Sequence, residues 1–127
     1  MKIRIKGNSL RLRLSQSEIQ LLKEEGRVTD SISFAPDRSL SYLLESSDRI
    51  QRAEATYFND QIRVILPGQT AAQWINTDQV SITAEQNMNA TDCLSILIEK
   101  DFRCLTERPN ENEADLFPHP KEGRLNC

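Results

Sequence analysis

The chain has 127 residues with a formal net charge of −3, a sequence pI near 5.2 and 28% charged residues. That length suits one domain, and the composition is that of a folded chain rather than a disordered one. The acidic balance argues against a general nucleic-acid binder, and no apolar run approaches the length needed to span a bilayer.

The charge is unevenly placed: residues 1–27 carry +4, so the remainder sums to −7. In "KIRIKGNSLRLRL" (2–14) every second residue is apolar and nearly all the others are basic. Gly7-Asn8 interrupts the alternation, and glycine at the first central position suits a two-residue type II′ turn. That turn sets Lys6 opposite Ser9, Ile5 opposite Leu10, Arg4 opposite Arg11, Ile3 opposite Leu12 and Lys2 opposite Arg13. One face is then apolar (Ile3, Ile5, Leu10, Leu12, Leu14) and is expected to be core. The other opposes like charges, which costs a few tenths to about 1 kcal/mol per pair.

Ser15-Gln16-Ser17-Glu18 has the spacing of a capping box, and Gly26 suits a helix C-terminus, so a helix is predicted over 16–25. Strands are predicted at 27–34 and 39–45, joined by the turn "APDR", and at 53–58 and 61–66, joined by Asn59-Asp60. After Pro67-Gly68, the pattern Thr70-Ala71-Ala72-Gln73 predicts a second capping box and a short helix that buries Trp74 and Ile75. Val80, Ile82 and Ala84 alternate as a strand, 87–91 reads as a loop, and "DCLSILIEKDF" (92–102) reads as a central strand. The short hairpins predict an α+β fold: a mainly antiparallel curved sheet, or a partly closed barrel, with two short helices. Residues 1–105 form the single domain in this reading. Residues 106–127 form an acidic, proline-containing tail, in which Leu116 and Phe117 would anchor against the domain while the acidic stretch from Glu107 to Asp115 lies near the basic N-terminal face.

Chemistry-bearing signals are few. Two arginines can hold a phosphate or carboxylate by bidentate contacts, so Arg4, Arg11, Arg13 and Arg63 are candidate anion-binding residues. The competing reading is that internal carboxylates (Glu54, Glu85, Glu99, Asp101) offset the basic face, or that it charges an edge hairpin against aggregation. Cys104, His119 and Cys127 are widely spaced and lack a fourth soft ligand, so no metal site is assigned. With one histidine and no nucleophile or phosphate-loop motif, no catalytic residue or cofactor is assigned, and the balance leans away from an enzyme. The triphosphate tunnel metalloenzymes also pair alternating charged strands with anionic substrates. Their Glu-x-Glu-x-Lys pattern holds a cation, however, and Lys2-Ile3-Arg4-Ile5-Lys6 has no carboxylate.

"MKIRIKGNSLRLRLSQSE" together with "LIEKDFRCLTERPNENEADLFPHP" resembles a family of small bacterial proteins with a domain of unknown function. The resemblance implies a cytoplasmic bacterial protein and no particular activity. Two functions remain open. One is a non-enzymatic binding or interaction protein, with a homodimer or protein partner as its counterpart. The other is a small-anion binder or phosphate-handling enzyme. Nucleic acid and membrane partners are disfavoured.

Overall fold

The structure, a computed structural model, describes residues 1–102 and 115–118. Strands β1 (Lys2–Lys6) and β2 (Ser9–Leu14) form the hairpin that the sequence predicts, in the predicted register. Gly7 takes φ 55, as the first position of a type II′ turn requires. Helix α1 (Gln16–Glu25) starts on the capping box: the Glu18 amide donates to Ser15 Oγ at 3.4 Å and the Ser15 amide to Glu18 Oε1 at 2.9 Å. It ends at Gly26, φ 76, whose amide donates to the Leu22 carbonyl at 2.8 Å.

Strands β3 (Arg27–Ala35) and β4 (Arg38–Ser47) form a second hairpin, and β5 (Glu54–Phe58) and β6 (Gln61–Pro67) a third. Asn59 and Asp60 both adopt positive φ, 49 and 58, the geometry of a type I′ turn. Helix α2 (Gly68–Asn76) starts two residues before the expected capping box. Pro67 is its N-cap and offers no side-chain hydrogen bond, so Thr70 lies inside the first turn. The reason is tertiary. The Asp48 carboxylate lies where a Cβ at position 68 would be, so glycine there lets a negative group reach the positive end of the helix. Strands β7 (Ser81–Asn87) and β8 (Cys93–Lys100) complete the set.

The strands form two four-stranded sheets, ordered β1-β2-β8-β7 and β3-β4-β6-β5. Both are mixed, which corrects the antiparallel expectation, and they do not close into a barrel. Each hairpin is antiparallel within itself, but neighbouring hairpins meet through their return strands. These run the same way, so β2 pairs with β8, and β4 with β6, in parallel. Side chains tie the two seams between the sheets. At one, Gln86 of β7 mimics a strand: Ala55 N–H donates to its Oε1 at 2.7 Å and its Nε2 donates to the Ala55 carbonyl at 3.0 Å. At the other, Tyr42 Oη donates to the Met1 carbonyl at 2.9 Å.

The order hairpin–helix–hairpin occurs twice, as β1-β2-α1-β3-β4 and as β5-β6-α2-β7-β8, and exchanging the halves exchanges the sheets. At one constant spacing Leu12 answers to Val64, Leu14 to Leu66, Ile19 to Ala71 and Leu22 to Trp74, all buried in the shared core. Val28–Leu44 and Ile82–Ile98 are likewise matching buried cross-strand pairs. Trp74 is fully buried, with its indole N–H on the Val80 carbonyl at 3.0 Å. Ile5, expected in the core, is 62% exposed, because edge strand β1 carries it past the region where the sheets face each other.

Residues 115–118 pack against the helix end of this core. Asp115 faces the first turn of α1, its Oδ1 accepting the Ser17 amide at 3.1 Å and its carbonyl the Gln16 amide at 3.0 Å. Leu116 is buried, and the Phe117 ring meets that of Phe102 edge-on at 5.7 Å.

Candidate anion site on the outer face of the first sheet

Alternation along four paired strands sets out the outer face of the first sheet in rows. One row runs Lys2, Arg13, Glu99, Ser81; the next Arg4, Arg11, Leu97, Thr83; the third Lys6, Ser9, Ser95, Glu85. The core residues Leu10, Leu12 and Ile98 point the other way, so burial of the inner face fixes which side carries the charges.

The first row is balanced from within. Arg13 Nε lies 3.0 Å from Glu99 Oε1 and 3.9 Å from Asp101 Oδ1, and Lys2 Nζ lies 3.0 Å from Asp101 Oδ2. Asp101 is 2% exposed, and burying its charge is tolerable only beside such cations. Arg13 Nε and Asp101 Oδ1 are both buried without a hydrogen bond. Their attraction is therefore that of charge at ion-pair distance.

The second and third rows differ. Arg11 Nε reaches Glu99 Oε1 only at 3.6 Å, and Glu99 already serves Arg13. Arg4 stands directly opposite Arg11, and among the described residues no carboxylate comes within ion-pair distance of Arg4 or Lys6. Arg4, Lys6, Ser9 and Arg11 line a recess of about 190 Å³, and Arg4 and Arg11 also line an adjoining one of about 210 Å³. A broader cleft of about 630 Å³ continues from Ser9 and Arg11 toward Thr83 and Glu85. The recess offers two guanidinium groups, an ammonium and a hydroxyl, a donor set suited to a phosphate- or carboxylate-sized anion.

Of the candidate residues, Arg4, Arg11 and Arg13 come together, with Arg13 already committed to Glu99 and Asp101. Arg63 does not join them. It lies on β6 of the second sheet, where it pairs with Glu45, and Glu45 also sits 3.9 Å from Arg27 Nε. Of the four carboxylates expected to offset the basic face, Glu99 and Asp101 do so, while Glu54 belongs to the second sheet. Lys6 and Ser9 were not singled out from the sequence, although the predicted register already set them side by side.

Elsewhere, the Lys100 ammonium is buried and donates to the Thr77 carbonyl at 2.8 Å; burial pushes it below its ordinary value, against an opposing pull from Asp78. Among the described residues no cluster of three or more His, Cys, Asp or Glu could hold a metal ion. Cys104, His119 and Cys127 lie outside the described residues, as does the acidic run before Asp115. No helix among the described residues is long and apolar enough to cross a membrane.

Fold and site define an α+β protein of two mixed sheets, built from a repeated hairpin–helix–hairpin unit and bearing cations on one sheet face. The chain belongs to a family of unknown function, DUF7009, whose model matches residues 1–121. No curated protein and no solved structure matched the chain.

Proposed function

We propose that this is a non-enzymatic binding protein whose ligand carries a small anionic group, a phosphate or carboxylate, held by Arg4, Lys6 and Arg11. One comparison within the molecule carries this reading. The positions of the second half that answer to Lys2, Arg4, Lys6 and Arg13 are Glu54, Thr56, Phe58 and Ile65. The hairpin architecture thus accepts neutral or acidic residues where the first half has cations. Arg11 has a counterpart in Arg63, but across the strand from Arg63 stands Thr56, whereas across from Arg11 stands Arg4. A like-charge pair that the fold does not need, over a recess of anion size, is what recognition of an anion would maintain. Guanidinium and ammonium groups offer several hydrogen-bond donors and no acceptor, a set that suits holding an anion. The setting we envisage is a bacterial cytoplasm, in keeping with the resemblance of the two end motifs and the few, scattered cysteines.

The test is titration of inorganic phosphate and sulfate, by calorimetry and thermal shift, into the full chain and into Arg4→Gln/Arg11→Gln. Binding by the native chain, with a variant that folds but does not respond, is the expected result. A variant that is merely more stable, with no anion shifting the native melting temperature, overturns the reading.

A further inference from the structure

The two helices join the return strand of one hairpin to the first strand of the next, so all four hairpin loops fall at the opposite end of the molecule. At that end the inner faces of the sheets run on past the core. Ile32 continues the alternation of core residue Val28 and is 49% exposed; Tyr57 continues that of Ala55 and is 65% exposed. Between the parted sheets lies a pocket of about 370 Å³ whose apolar walls include Ile5, Leu10, Tyr57, Ile62, Met88 and Leu94. Among the described residues, no charged side chain lines it. Its size falls within the range of small-ligand sites.

This pocket and the basic recess lie on opposite faces of the same hairpin, and Ser9 lines both. Gly7 forms the tip between them, and among the described residues, apart from its own chain neighbours, no atom lies within 4 Å of the place a Cβ would occupy, so space is left beside the tip. We propose that the two cavities form one site for a single-chain anionic amphiphile, its head on Arg4, Lys6 and Arg11 and its hydrocarbon chain in the mouth between the sheets. The proposal rests on the anion reading of the recess and adds the apolar half of the ligand. Charge complementarity selects this occupant over a second copy of the chain. The cationic recess matches an anionic head, and the adjoining lining of uncharged residues matches a hydrocarbon chain.

The experiment is calorimetric titration of the full chain with inorganic phosphate and with methyl, butyl, hexyl and octyl phosphate, each as dispersed monomer. Affinity is expected to rise about fourfold per buried methylene, with a heat capacity change that grows more negative with chain length. Ile5→Ser, at an exposed position, is expected to flatten the chain-length dependence while methyl phosphate still binds. Arg4→Gln is expected to weaken every member of the series by a similar factor. Equal affinity across the series overturns the amphiphile and leaves the anion site standing. No binding of any phosphate overturns both. Binding of octanol as tight as octyl phosphate overturns the shared site. Binding only to phosphate-bearing vesicles, with none to dispersed monomers, replaces the single-chain ligand with a lipid surface and overturns the proposal.

Discussion

Arg11 and Arg63 occupy the same place in the two halves of the chain, and each reaches a glutamate two positions along the parallel strand beside it. Arg11 pairs in register with Leu97 and reaches Glu99; Arg63 pairs with Leu43 and reaches Glu45. The diagonal Arg–Glu contact therefore belongs to the repeated architecture. What distinguishes the first sheet is the extra charge around it, above all Arg4.

If Arg4 is surplus to the fold, replacing it with the residue of the other half should help stability. Arg4→Thr is expected to raise the unfolding free energy by a few tenths to about 1 kcal/mol in low salt. The gain should shrink as ionic strength screens the repulsion. Urea denaturation at two salt concentrations measures both effects; a loss of stability would show that Arg4 supports the fold through a contact of its own.

Gln86 satisfies the N–H and the carbonyl of Ala55 at once, on a seam where no ladder does so. Gln86→Leu leaves two backbone groups without these partners and is expected to cost about 1–3 kcal/mol. Hydrogen exchange at the Ala55 amide should speed up more than at neighbouring amides of β5. A protected Ala55 amide in the variant would mean that the seam closes by other means.

Asp115 holds the returning segment at the α1 N-terminus. Hydrogen bonds from the Ser17 and Ser15 hydroxyls, with a lesser one from the Ser17 amide, keep its carboxyl below the ordinary aspartate value against the opposing effect of burial. A depressed folded-state value means that its contribution is fully present above the unfolded value, near about 3.9, and is lost as pH falls through the lower folded value. The contact of Phe117 with Phe102 should therefore loosen in acid, as followed by ring resonances in NMR. In Asp115→Asn that acid transition should be absent, and its persistence would assign the pH dependence elsewhere.

Leu14 and Leu66 are matched across the repeat, and both are fully buried. Each Leu→Ala substitution is expected to cost about 2–5 kcal/mol, because the core joins both sheets and both helices and cannot collapse around the void. Trp74 is the one tryptophan and is fully buried, so its emission should shift to the red on unfolding. Coincidence of that transition with loss of circular dichroism would show both halves unfolding together. Two separate transitions would show the halves to be independent.

Sequence alone determined what depends on neighbours in the chain. Gly7-Asn8 with strict alternation set the first hairpin's register, because a two-residue turn leaves one pairing that keeps Leu10, Leu12 and Leu14 on a single face. Ser15, Glu18 and Gly26 bounded α1 because its caps lie within the segment itself. Tertiary structure decided whatever depends on distant partners. The start of α2 was displaced by Asp48, the β2–β8 and β4–β6 pairs came out parallel because hairpins meet through their return strands, and Ile5 lost its place in the core to an edge. The repeat was hidden because its matched positions share burial more than identity: Leu22 answers to Trp74 and Ile19 to Ala71. The division of the basic face was out of reach for the same reason. Arg13 and Glu99 are neighbours only because two hairpins from opposite ends of the chain pair in parallel, and that pairing leaves Arg4 and Lys6 without a carboxylate partner among the described residues.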